Sequence, residues 1–223
     1  MGDVALTVPV IGSLMVQYSG TKVTLITRSA FKPFFNSIPG LQIFEAEFSG
    51  RHKGFSGLLR LYSELGKIED IDYIIDLHNV LRSKILRFLF RFSGKHTAVI
   101  DKGRAEKRDL IKGRNKAGLK HSVNRYLDVF SKAGLQINPG NWKSIVPACT
   151  AYGKIAGLIN DSGAMNIGIA PYAKHPLKIW PEKYIIRLAE MISQKVESNF
   201  WLFGGKEEYD RLSELQTLIP GSF

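Results

Sequence analysis

Four short stretches carry side chains whose type and spacing could do chemistry. GDVALTVPVIGSL, from residue 2, puts the carboxylate of Asp3 at the start of a helical pattern. A helix dipole stabilises an acid there, and on these residues alone that structural role is favoured. The chemical alternative places Asp3 at the carboxyl edge of a parallel sheet, where it could take a proton from a sugar hydroxyl. DLHNVLRSK at 76–84 offers His78 as a base or ligand donor, with Asn79 or Ser83 as helix caps. A lone histidine at a strand end is more often structural. AKHPLKIWP at 173–181 sets Lys174 and Lys178 between a strand and a helix N-terminus, where backbone N–H groups already favour phosphate. Trp180 is assigned to packing at that helix start, and Pro181 to its first helical position. FGGKEE at 203–208 is first of all a tight strand-to-helix turn. The chain has neither a glycine-rich dinucleotide fingerprint nor a P-loop.

The charge points to anionic partners. Thirty-one Lys and Arg against 20 Asp and Glu leave +11 over 223 residues, which favours nucleic acid, lipid headgroups or sugar phosphates. The cations cluster: Arg82, Lys84, Arg87, Arg91 and Lys95 recur at near-helical spacing, and eight more lie between Lys102 and Lys120. One cysteine, Cys149, excludes an intrachain disulfide, fits a reducing compartment, and is read as a packing residue rather than a nucleophile. No apolar run reaches the eighteen or so residues of a membrane span, and the acidic start is not a secretory signal. A soluble cytoplasmic protein is expected.

The elements that must hold these groups alternate. Short apolar runs at 22–27, 41–46, 71–77 and 96–101, the first of them β-branched, alternate with helical patterns at 4–18, 30–36, 57–65 and 80–92. Strand–helix alternation implies parallel βαβ units with right-handed crossovers. A further helix at 123–133 ends at Gly134. The pattern restarts after a Pro- and Gly-containing stretch: strand NIGIA, helix 181–194, strand FWLFGG, helix 206–218. The expected organisation is a Rossmann-like domain over residues 1–139, a linker over 140–166 and a partial second domain over 167–223. Gly-Asp with no strand before it, and a close after two βα units, read as a fragment of a larger protein.

These stretches, in this order, resemble the bacterial heptosyltransferases of glycosyltransferase family nine. GDVALTVPVIGSL, KVTLIT, IDYIIDLHNVLRS, IGIAPYAKHPLKIWP and FWLFGGKEE each match a family segment. The resemblance implies an α/β fold of the GT-B type, with two Rossmann-like domains and the second incomplete. It implies heptose transfer from ADP-heptose, or a similar nucleotide sugar, to the lipopolysaccharide inner core, with inversion and without metal or cofactor. It assigns the catalytic base to Asp3, reversing the reading from the residues alone. It assigns the donor diphosphate to Lys178, with Lys174 as a weaker contact, and makes His78 and Arg82 the acceptor-binding candidates. The basic N-terminal block would meet an anionic acceptor, so the enzyme is expected to be cytoplasmic and peripheral to the inner membrane. The family's first strand, before Gly-Asp, is missing, as is its later DSGP-type motif. NDSGAM at 160–165 has similar letters in the wrong place and is read as a turn.

Two other readings compete. One is an inactive fragment of such an enzyme. The other is a basic nucleic-acid-binding protein using residues 82–120, which predicts aromatics interleaved with the charges. None occurs between Lys95 and Lys120, so no nucleic-acid partner is expected.

Overall fold

The computed structural model describes residues 2–68, 70–114, 116–142, 163–173 and 175–223. Lys174, Cys149, most of the expected linker and the first residues of NDSGAM lie outside the described residues. The chain divides into two compact units, Met1–Pro147 and Ala148–Phe223.

The first unit opens with two helices where one was expected: α1 (Gly2–Ala5) and α2 (Val8–Gln17). Pro9 explains the break. It has no N–H to return to the Ala5 carbonyl, and its ring crowds that carbonyl. Thr7 caps α2 instead, and its Oγ1 donates to the Val4 carbonyl at 2.7 Å. β1 (Thr24–Thr27) leads into a 3-10 helix, Ser29–Phe35, rather than the α-helix expected at 30–36. Pro33 inside it again removes a donor an α-helix would need. Then follow β2 (Gln42–Glu45), α3 (Gly54–Ile68), β3 (Tyr73–Asp76), α4 (Leu81–Phe92) and β4 (His96–Val99). α5 (Arg104–Ile111) was not foreseen: it buries no residue, so no apolar periodicity announces it. α6 (Ser122–Lys132) closes the set.

The strands pair in parallel, β1 with β2 and β3 with β4, as two separate two-stranded sheets. Apolar packing unites them. Ile26 and Phe44 of the first pair and Ile74 of the second meet one cluster built on Leu58, Leu61, Leu65 and Phe90. On Ile11, Phe35 and Ile38, Leu25 and Ile43 are joined by Leu77. A third cluster sets Val10 and Leu14 of α2 against Tyr126, Val129 and Phe130 of α6. Each fully buried aliphatic side chain here contributes about 1.5–3 kcal/mol.

The second unit holds β5 (Met165–Ile169), a 3-10 turn at Pro176–Lys178, α7 (Glu182–Ser193), β6 (Ser198–Leu202) and α8 (Tyr209–Leu218). β5 and β6 are parallel over a core of Ile185, Ala189, Phe200, Leu215 and Ile219. Pro181 is the N-cap of α7 rather than its first helical residue. Its ψ of 133° is extended, and its carbonyl accepts from the Tyr184 and Ile185 N–H groups. The Gly-Gly turn is filled from within, since the Glu208 carboxylate accepts the Gly205 N–H at 2.7 Å. A 3-10 turn, Lys206–Glu208, therefore precedes α8. After α8 the backbone returns beside β6: Phe200 N–H donates to Gly221 O at 2.9 Å, and Leu202 N–H to Phe223 O at 3.0 Å.

Candidate active site

Two loops of the first unit, at the carboxyl ends of β3 and β4, and helix α1 make up the candidate site, and each is fixed by hydrogen bonds. The loop after β3 is organised by Asp76, which is buried. Its Oδ1 accepts the backbone N–H groups of His78 (3.0 Å) and Asn79 (2.7 Å), and Oδ2 accepts Arg87 Nη1 at 2.9 Å. A carboxylate with three donors tolerates burial that an unpaired one would not. Asn79 takes a left-handed φ of 46°, and its Nδ2 donates to the Ile100 carbonyl at 3.1 Å, tying this loop to the one after β4. Asn79 is therefore a tether rather than a cap. Ser83 is the residue that reaches back, accepting the Val80 N–H at 2.9 Å.

The loop after β4 carries Lys102. Asp101 Oδ1 accepts the Gly103 N–H at 2.8 Å, and Arg125 Nη1 donates to the Asp101 carbonyl at 3.4 Å. Arg125 is itself gripped by Glu106, with Nη2 to Oε2 at 2.6 Å, and by the Lys120 carbonyl at 3.2 Å. Gly103 has φ 61°, and a Cβ on it would overlap the Arg125 guanidinium. Only glycine fits.

The third piece is α1 with Asp3. Tyr126, buried on α6, donates its hydroxyl to the Asp3 carbonyl oxygen at 3.1 Å. Burial, and secondarily the Asp3 charge, push the Tyr126 phenol above its usual range. The Asp3 side chain stays exposed.

His78 lies where these fields overlap. Its imidazole is held below the ordinary value, first by burial, then by the Lys102 charge; Arg82 acts the same way, while Asp76 and Asp3 oppose them. The structure thus brings Asp3, His78 and Arg82 into one electrostatic neighbourhood and adds Lys102, which the sequence offered only as one cation in a basic run. Arg82 is also held in place, its guanidinium 4.4 Å from the Phe48 ring centroid. A neutral imidazole, a carboxylate and two cations at a sheet edge can bind an anionic, hydroxyl-bearing molecule and accept a proton from it.

Lys178 belongs to the second unit. It ends the turn Pro176–Lys178, is exposed, and among the described residues has no ion-pair partner. Its backbone N–H donates to the His175 carbonyl at 2.9 Å, and α7 begins four residues on. At that helix start Glu182 pairs with Arg211 at 2.6 Å, which holds the Glu182 carboxyl below its ordinary range. Trp180 stacks on Tyr184, centroids 6.0 Å apart, but is about half exposed, so its packing at the helix start is only partial.

Residues 58–222 match the family described as glycosyltransferase family 9 (heptosyltransferase). The chain belongs to that family. His78, Arg82 and Lys178 fall inside the matched region of this family 9 chain, while Asp3 lies before it. Among solved structures, the glycosyl transferase family 9 protein from Veillonella parvula aligns with a TM-score of 0.75 at 19% identity, over 98% of this chain and 64% of that one. E. coli ADP-heptose lps heptosyltransferase II aligns at TM-score 0.62 and 17% identity, over 96% of this chain and 65% of its own. E. coli heptosyltransferase WaaC with ADP aligns at 0.63 and 17%, over 100% and 70%. The chain therefore spans just under two thirds of the length of the first two. The shared fold is α/β of the GT-B type with short parallel sheets. No curated protein matches the chain in sequence.

Tyr126, Asp76, Gly103 and Lys102 are the site residues that sequence reasoning missed in these roles. A tyrosine on the buried stripe of an amphipathic helix was the available signal, because a buried phenol needs a hydrogen-bond partner.

Proposed function

We propose that this family 9 chain acts in transfer of heptose from ADP-heptose, or a closely similar nucleotide sugar, to an anionic lipopolysaccharide core acceptor. The observation that supports the reading is that Asp3, Arg82 and Lys102 all bear electrostatically on His78, in the loop after β3. Arg82 and Lys102 bind the negative charge of the acceptor, and neutral His78 hydrogen-bonds one of its hydroxyls. Asp3 takes the proton of the attacking hydroxyl. The freed oxygen forms a bond to the anomeric carbon on the face opposite the diphosphate. The bond from that carbon to the diphosphate oxygen breaks, ADP leaves with the electron pair, and the centre is inverted. Lys178, with Lys174 as a weaker contact, stabilises charge on the departing diphosphate. No metal is required. Two neighbouring structures are described with ADP and with an ADP-2-deoxy-2-fluoro heptose, which supports a nucleotide-sugar donor. No described helix is long and apolar enough to cross a membrane, and the reading places the protein in the cytoplasm, peripheral to the inner membrane.

The test is ADP release from ADP-heptose with core acceptor present. Asp3→Ala is expected to slow turnover about 10²–10⁴-fold while ADP-heptose binding persists. Unchanged turnover would leave Asp3 a helix-start residue. One second reading is an inactive fragment that binds without transfer. Donor binding with no ADP release from the unmodified chain would select it.

A further inference from the structure

Helix α4 carries two apolar stripes on opposite sides. One, Leu86 and Phe90, is buried in the core. The other faces solvent: Leu81 is 74% exposed, Phe88 67% and Phe92 87%, with the two rings stacked at a centroid distance of 6.5 Å. At 100° per residue these three lie within a narrow sector. Lys84 and Arg91 flank it, both exposed and, among the described residues, outside any ion pair. No acidic residue occurs anywhere in α4. Helix α5, which also leaves the carboxyl edge of the β3–β4 sheet, again sets an exposed apolar residue among cations, although it also carries Glu106 and Asp109, the latter paired with Arg114. Its Ile111 is 86% exposed on the face that carries Arg104, Lys107 and Arg108, while Glu106 turns to Arg125.

We propose that the outer face of α4 docks on an anionic lipid surface, with Leu81, Phe88 and Phe92 entering the headgroup–acyl boundary and Lys84 and Arg91 meeting the headgroups. An interfacial helix requires a cationic polar face beside exposed Leu and Phe, and this helix has both. Charge selects the occupant. A second copy would bring one acid-free basic face against another, and the chain as a whole carries +11. Nucleic acid would use the cations but leave the Phe88–Phe92 pair and Leu81 in water. An anionic lipid surface uses every group on the stripe. Leu81 adjoins Arg82 and follows His78 by three residues, so a docked α4 holds the candidate acceptor end of the site at the bilayer. The assignment rests on the peripheral-membrane part of the functional reading and on none of its chemistry.

The experiment is co-sedimentation of the purified chain with phosphatidylcholine vesicles, with and without phosphatidylglycerol. Binding is expected with the anionic vesicles, weakening as salt screens the lysine and arginine charges. Phe88→Ser with Phe92→Ser should cut partitioning by about tenfold or more, with circular dichroism and thermal midpoint unchanged because both rings face solvent. Lys84→Glu with Arg91→Glu should lower binding to the anionic vesicles and flatten its salt dependence. Tyr209→Ser with Leu218→Ser, an exposed pair in the second unit, should leave binding intact. Asp3→Ala should also bind vesicles normally, so loss of transfer and loss of docking remain separate results. The proposal is overturned if the chain ignores anionic vesicles, or if the Phe pair and the control pair behave alike. A dimer that dissociates with the Phe substitutions, or RNA binding without vesicle binding, would overturn it as well.

Discussion

His78 reports on the site because its neighbours push its titration in known directions. Burial, Lys102 and Arg82 disfavour the imidazolium, while Asp76 and Asp3 favour it. The Cε1–H resonance of His78 is therefore expected to titrate below 6.5. Lys102→Gln should raise that midpoint and Asp3→Asn should lower it further; an unmoved midpoint in the Asp3 variant would remove Asp3 from the neighbourhood of His78. The linkage follows from the same sign. Between 6.5 and the lowered folded value, the unfolded chain binds the proton and the folded one does not, so the His78 contribution to stability falls as pH drops through that window. At the other candidate residue, Lys178→Ala should weaken ADP binding roughly ten- to a hundredfold, the loss of one charge-assisted hydrogen bond. Adenosine, which has no phosphate, should bind almost unchanged. Equal weakening of both in calorimetric titration would make Lys178 a loop residue.

Elements of the first unit hold His78 and its neighbours, and their junctions are where substitution should be felt. Gly103→Ala combines a left-handed φ with a Cβ that displaces Arg125 from Glu106 and Asp101. A loss of about 1–3 kcal/mol in urea unfolding is expected, together with a shifted His78 titration, since Lys102 rides on the same loop. Tyr126→Phe should cost only about 0.5–1.5 kcal/mol, one buried hydrogen bond. All six strand cores were legible as short apolar runs, from the β-branched TLIT at Thr24–Thr27 to the aromatic-rich FWL of Ser198–Leu202. What failed were breaks and surface pieces. Pro9 divides α1 from α2, Pro33 turns an expected α-helix into a 3-10 helix, and α5 is a helix without a core-facing stripe. Proline acts on one backbone position, which a periodicity average hides.

At the scale of the whole molecule, among the described residues each unit has core clusters of its own. Phe200, Leu215 and Ile185 form one, and the clusters around Leu61, Val129 and Phe35 form the others. Phe200→Ala, at a fully buried position, is expected to cost the second unit about 3–5 kcal/mol. Amide exchange in Gly54–Ile68 and Ser122–Lys132 should keep its protection in that variant. Loss of protection in both units would mean that they unfold as one.

Sequence by itself determined the class of the fold and the order of its strands, because strand–helix alternation is local and repeats along the chain; the resemblance to the family rested on five motifs and their order. It also named Asp3, His78, Arg82 and Lys178 as candidates, since each sits beside a recognisable strand end or helix start. Tertiary structure decided which of them share an environment. Lys102 and His78 are 24 positions apart, and Tyr126 and Asp3 are separated by 123, with the Tyr126–Asp3 hydrogen bond and the Lys102–His78 field created by packing. The same holds for α4: its sequence shows twelve residues rich in Leu, Phe and Arg, and only burial of Leu86 and Phe90 reveals that Leu81, Phe88 and Phe92 face water. A side chain's partners depend on where the chain returns in space, and no local pattern records that.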